Sequence, residues 1–193
     1  MTILSRKFYL KDPALVAKNL LSKVLVRKIN SKLLVGKIVE TEAYYGEKDP
    51  ASRAYRGMKN FNKPMWGEAG RAFIYMVHAN WLFNAVAHPE NEAGAVLIRA
   101  LEPLNGVEEM KKYRKVSDLT ELTSGPGKLT KAMKITEELN GTDLTNIESE
   151  IFICHWKAEE AKIRSSYRIG VSRDLPLKLR FYLESNPYVS RKT

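Results

Sequence analysis

The stretch Val39-Glu40-Thr41-Glu42-Ala43-Tyr44 carries the side chains best equipped for chemistry in this sequence. Side chains alternate along an extended strand, so Glu40, Glu42 and Tyr44 share one face. Paired carboxylates beside an aromatic ring can take a proton from water or steady a developing positive charge. A polar strand edge facing solvent gives the same spacing. Arg99 ends the apolar run Ala95-Val96-Leu97-Ile98, where a buried guanidinium needs a carboxylate that Glu40 or Glu42 could supply. Asn84 also lies in an apolar run, and an unpaired amide there is costly, so it must bond to something specific. Phe73, Tyr75 and Val77 fall on one face of their strand, a pattern that suits a core as well as a stacking platform.

Ser124-Gly125-Pro126-Gly127-Lys128 reads as a small-residue turn into a helix, with backbone N–H groups and a lysine that suit a phosphate. It is not a nucleotide-binding P-loop, because Leu129 follows Gly127-Lys128 and the upstream glycine is missing. His78, His88 and His155 have no metal-ligand spacing with one another or with Cys154, so no metal or other cofactor is expected. No G-x-S-x-G elbow is present. A sugar-cleaving pair made of Glu40 and Glu42 is disfavoured: carboxyls two apart on a strand are too close for the inverting geometry, and a basic surface suits no neutral sugar.

Across 193 residues, 32 Lys and Arg face 22 Asp and Glu, for a net charge of +10. Such an excess favours a polyanionic partner, although solvated lysines also account for it. The charge is uneven: +7 over residues 1–40, 0 over 41–105, −2 over 106–150 and +5 over 151–193. Basic ends around a neutral middle suggest a binding surface built from the termini. With 44 % apolar and 28 % charged residues, the chain reads as one globular domain over 1–193. No apolar run nears the roughly 18 residues of a membrane span, and the first residues are mixed and charged, so neither a membrane nor a secretory role is expected. Cys154 cannot form an internal disulfide; it reads as a buried, inert thiol in a reducing, intracellular compartment.

The elements that must position these residues follow from local pattern. Asp12-Pro13 starts a helix, with Asp as N-cap and Pro at the first helical position. Residues 22–29 and 32–44 form a hairpin around Asn30-Ser31. Residues 45–70, rich in Gly and Pro, form a long irregular loop, a class that often carries function. Strands follow at 72–77, 82–87 and 95–100, helices at 106–115 and 125–133, and strands at 151–156, 167–171 and 179–183. Helices scattered among neighbouring strands predict an α+β fold: a curved, largely antiparallel sheet flanked by helices.

Read together, these segments closely resemble the alkyladenine (3-methyladenine) DNA glycosylase family. The likeness rests on Gly36 to Tyr44, Asp49-Pro50-Ala51-Ser52 with Tyr55-Arg56-Gly57, Asn62, Met65-Trp66-Gly67 and Gly70. It continues through Val96 to Leu104, Leu122 to Leu129, Arg168-Ile169-Gly170-Val171, Leu179 to Tyr182 and Pro187 to Ser190. The match runs in order from about Phe8 to Ser190.

The resemblance implies a monomeric enzyme that acts alone on double-stranded DNA, without metal or covalent intermediate. It flips a damaged purine out of the duplex and hydrolyses the N-glycosidic bond, leaving an abasic site. Glu42 matches the general base that activates water. Arg99 matches the residue that holds that water, and the Ile169 carbonyl matches a third contact. Tyr44 and Tyr75 match aromatics that sandwich the base, and Asn84 matches the residue that excludes the 2-amino group of guanine. His78 stands where the family wedges a tyrosine into the duplex, and the segment from Tyr75 to Asn84 is one residue short of the usual spacing. Arg53 stands where the family carries histidine. Pointing inward, it would favour neutral lesions such as hypoxanthine or ethenoadenine over 3-methyladenine; pointing outward, it would contact phosphate. Without the resemblance, charge and aromatics alone suit a non-catalytic nucleic-acid-binding module. Arg99 beside Glu42 is expected to keep that carboxylate ionised.

Overall fold

A computed structural model describes residues 2–157 and 161–190. Two short helices open the chain: α1 (Arg6–Tyr9) and α2 (Pro13–Leu20). The Asp12 side chain accepts from the N–H groups of Ala14 and Leu15, so the expected cap is in place. The hairpin follows as β1 (Val24–Ile29) and β2 (Lys32–Tyr45), then β3 (Ala72–Val77), β4 (Asn80–Val86) and β5 (Gly94–Asn105). The rest comprises α3 (Val107–Arg114), α4 (Pro126–Ala132), β6 (Ile151–Cys154), β7 (Ile163–Ser166) and β8 (Arg180–Leu183). The fold is α+β, and the strands make one curled antiparallel sheet.

The sheet order is β3-β4-β5-β2-β1-β6, with β8 pairing with β2 and β7 with β8. β2 is its spine. β5 covers nearly all of one edge, while the other edge pairs first with β1 and then, at Glu40–Glu42, with β8. Between β2 and β5 two irregularities compensate. Ile38 pairs with Leu101, Glu40 with Ala100 and Thr41 with Ile98, leaving Val39 and Arg99 as the extra residues. Bulges of this kind re-aim a side chain without losing the register beyond them. α2 packs against the sheet, where Val16, Ala17 and Leu20 join a core with Ile38, Val39 and Ala43.

One expectation is filled in and one changes. The loop over 45–70 is irregular, with a 3₁₀ turn at Lys63–Trp66, and is pinned by two fully buried polar side chains. Asp49 accepts from the N–H groups of Tyr45 and Ala51. Asn62 accepts from the Lys59 N–H and donates to the carbonyls of Arg53 and Gly57. Residues 167–171 are not a strand; the strand lies earlier, at Ile163–Ser166. The cause is Arg168, which turns inward to carboxylates, while Gly170 takes a φ of 75° that a ladder does not accommodate.

Candidate active site

Glu42 lies behind the wall of a cleft of about 760 Å³. Its carboxylate is wholly buried, and each of its three bonded partners belongs to the cleft wall. Oε1 accepts from the Ile169 N–H at 2.8 Å. Oε2 accepts from the Tyr44 hydroxyl at 2.8 Å and from Arg99 Nη1 at 3.2 Å. Arg99 also gives Nε to Glu40 Oε1 at 2.9 Å, so both acids of the strand face are its partners. The solvent-facing reading of that face is thereby excluded, since Glu40 and Glu42 are both at 0 % exposure.

The two carboxylates diverge in acidity. Burial pushes Glu42 up, and Arg99, the Ile169 N–H and the Tyr44 hydroxyl offset only part of that rise. Arg99 thus favours the ionised form, yet the net direction is upward. Burial acts on Glu40 as well, but Arg99, Arg180 and the Ser190 N–H outweigh it, and its carboxyl falls below the usual range. A buried acid with raised proton affinity next to one held as an anion is an arrangement that can exchange a proton with a bound water.

Around these acids stand the aromatics. Tyr44 carries the Arg168 guanidinium at 4.5 Å from its ring centroid. Arg168 in turn binds both oxygens of Asp49, at 2.6 and 2.7 Å, and reaches Asp174. Tyr75 stacks on Phe73 with ring centroids 5.0 Å apart. Arg53 is exposed at the cleft wall, its guanidinium 5.0 Å from the Tyr75 ring centroid. The Tyr75 hydroxyl is shifted upward by burial, against the pull of Arg53.

His78 is exposed at the tip of the β3–β4 hairpin and lines the cleft. It shares a two-residue loop with Ala79, both at positive φ (45° and 57°), a backbone that asparagine or glycine adopts more readily. The tip rests on α4: Thr130 Oγ1 donates to the Trp81 carbonyl at 2.8 Å, and a Cβ on Gly127 would lie 2.8 Å from Asn80 Cβ. Gly125 and Lys128 also line the cleft, and Lys128 is ion-paired with Glu121. Ser124 does not; it bridges to Ala100 in the sheet. Asn84 likewise stands outside the lining, with its amide donating to the carbonyls of Phe73 and Leu82. Leu82, two residues earlier, is on the wall instead.

Arg53, Arg99, Arg114, Lys128, Lys131 and Arg173 line the cleft, with no carboxylate among its described lining residues. A field of this sign draws a nucleic-acid backbone toward the opening. Among the described residues no group of three or more His, Cys, Asp or Glu could hold a metal ion, and no helix is long and apolar enough to cross a membrane. Pattern reading missed Arg168, Arg180, Asp49 and Ser190 as parts of the site. An arginine inside the apolar run Leu179-Arg180-Phe181 was the available signal for one of them.

Comparison with known proteins places the chain in a family. The family described as methylpurine-DNA glycosylase matches residues 7–187. A protein of Carboxydothermus hydrogenoformans named "Putative 3-methyladenine DNA glycosylase" is 44 % identical over 191 residues, covering 98 % of this chain and 100 % of its own. Proteins of the same name from Clostridium tetani (43 %, covering 98 % of this chain and 99 % of its own) and Aeropyrum pernix (39 %, 98 % and 93 %) are similar. Matched from end to end in this way, the chain belongs to the methylpurine-DNA glycosylase family of DNA-repair hydrolases.

Proposed function

We propose that this protein removes damaged purines of the 3-methyladenine, hypoxanthine or ethenoadenine class from duplex DNA by hydrolysing the N-glycosidic bond. The observation that carries this reading is the Glu42 carboxylate, raised in proton affinity and bonded to Tyr44, Arg99 and Ile169, which line the cleft. The anomeric carbon cannot be reached inside the base stack, so the nucleotide swings into the cleft. Water entering from there exchanges its own O–H for the Tyr44 hydroxyl at Glu42 Oε2, while Arg99 stays on the same oxygen. The glycosidic bond breaks with its electron pair leaving on the purine, which takes a proton from solvent when the lesion is neutral. The Glu42 charge steadies the oxocarbenium-like transition state, and Glu42 takes the water's proton as the water oxygen bonds to C1′. The Ile169 carbonyl is the third contact of that water.

Tyr44 and Tyr75 stack on the base. Asn84 fixes the Phe73 and Leu82 carbonyls behind the wall that excludes the 2-amino group of guanine. His78 fills the gap left in the duplex, and Ser124, Gly125 and Lys128 border the track of the phosphates. The guanidinium of Arg53, beside Tyr75 on the cleft wall, repels a cationic base, which favours neutral lesions. The enzyme acts as a monomer, and the product is an intact abasic site; a DNA adduct trapped by borohydride would contradict that.

The test is single-turnover base release from duplexes carrying one lesion each, by wild type and Glu42→Gln, with duplex affinity measured in parallel. Release should fall about 10²–10⁴-fold while affinity persists. Equal release by both proteins overturns the assignment of Glu42, and binding without release by either marks a non-catalytic binding module.

A further inference from the structure

The geometry points to Glu40 as a positioning residue for base release, one that holds Arg99 by its Nε edge, with Ser190 as clasp, so that Arg99 presents a single N–H to Glu42. This inference rests on the reading of Glu42 as general base and adds a control on it.

Three bonds fix the Arg99 guanidinium, two to carboxylates of β2 and one to Ser190 near the end of the described chain. Nε goes to Glu40 Oε1 at 2.9 Å, Nη1 to Glu42 Oε2 at 3.2 Å and Nη2 to Ser190 Oγ at 3.4 Å. The group is planar and rigid, so fixing Nε and Nη2 dictates where Nη1 aims. The shorter acid contact belongs to Glu40. A guanidinium free to face Glu42 alone would give two parallel N–H groups to that carboxylate and make it a poorer base.

Glu40 itself has no freedom. Oε1 also accepts from Arg180 Nε at 2.7 Å and from the Ser190 hydroxyl at 2.9 Å, and Oε2 accepts from the Ser190 N–H at 2.7 Å. Arg180 and Glu40 are fully buried, and no bulk water competes for these bonds. The result is an anion at neutral pH that takes up part of the Arg99 charge and faces Glu42 with its own. Glu42 is also faced by Tyr44 from β2, Arg99 from β5 and Tyr75 from β3, and by the Ile169 N–H; Arg180 on β8 lies opposite it in register. The upward direction of Glu42 and the downward direction of Glu40 agree with this division of charge.

A structural staple that only ties β8 and Ser190 to the sheet would leave the proton chemistry of Glu42 untouched. Single-turnover release of hypoxanthine, followed against pH, separates the two roles. In Glu40→Gln the anion and its claim on Arg99 are lost, so the acid limb should move down by roughly one unit. The plateau should fall about tenfold as the base weakens. A folded Glu40→Gln protein with an unmoved acid limb overturns the proposal.

Where a thermal melt shows that Glu40→Gln does not fold, Ser190→Ala decides. It keeps both carboxylates and the backbone N–H to Oε2, and should lower the plateau at unchanged DNA affinity, with rescue by Ser190→Thr. An unchanged plateau, or no rescue, overturns the proposal. Glu42→Gln run beside them keeps the readings apart: a silent Glu42→Gln removes the base assignment itself, while a dead Glu42→Gln with an unmoved Glu40→Gln limb removes only the positioning role.

Discussion

Arg168 holds its guanidinium 4.5 Å from the ring of Tyr44. The same group is locked to Asp49 through both Nη atoms, to the Ala43 carbonyl and to Asp174. Burial opposes its charge, but Asp49 and Asp174 more than restore it, and its acidity is pushed below that of an ordinary guanidinium. The segment after β7 is thereby tied to the start of the long loop, with an aromatic wall of the cleft between them.

Removing this tie should be costly. Arg168→Ala leaves Asp49 buried without its cation and should destabilise the protein by about 3–5 kcal/mol. Arg168→Lys should recover only part of that, because an ammonium cannot make the paired bonds to Asp49. Thermal unfolding of the three proteins checks both statements.

The pH dependence follows from the opposite directions at Glu40 and Glu42. A base must be ionised, so release should rise with pH through a value above the ordinary 4.5 of a glutamic acid. For stability the signs divide. Glu42 has a raised folded value, so its contribution is present at low pH and lost as pH climbs through that value. Glu40 has a depressed one, so its contribution is present at neutral pH and lost as pH falls through it. Rate–pH and denaturant-midpoint–pH profiles of wild type and Glu42→Gln should show the first limb vanish from both.

Arg53 should set the ratio between cationic and neutral lesions. Its guanidinium lies over Tyr75 in the cleft, where a positive base would meet it. Arg53→His should raise release of 3-methyladenine relative to hypoxanthine by about tenfold, the ratio that roughly 1.4 kcal/mol of relieved repulsion provides. A panel of single-lesion duplexes reads this directly, and an unchanged ratio would count against it.

Gly127 is where the β3–β4 hairpin meets α4. An added Cβ would lie 2.8–2.9 Å from Asn80 Cβ, Cγ and Oδ1, too close for the hairpin tip to stay in place. Gly127→Ala should destabilise by about 1–3 kcal/mol. It should also slow release from duplex DNA, because His78 and Tyr75 ride on the displaced strands. A thermal melt and a duplex assay on one preparation measure both effects.

Much of the site was legible because its signals are local. Period-two alternation put Glu40, Glu42 and Tyr44 on one face, and the solvation cost of a buried guanidinium called for a carboxylate beside Arg99; both acids answer it. The Asp12 cap was legible for the same reason, since its partners are two and three residues away.

Tertiary structure decided the rest. No neighbour of Val39 or Arg99 in sequence announces a paired irregularity, because a bulge is a property of two strands in register and not of one. Residues 167–171 have strand-like composition, yet the attraction of Arg168 to Asp49, 119 residues away, outweighs that preference and diverts the backbone. The Ser190 clasp reaches Glu40 across 150 residues. Alternation and capping are fixed by covalent geometry within a few residues, so sequence alone determined them. Which of 22 acids meets which cation, and how far each proton affinity moves, depends on burial and distance that exist only once the sheet has closed.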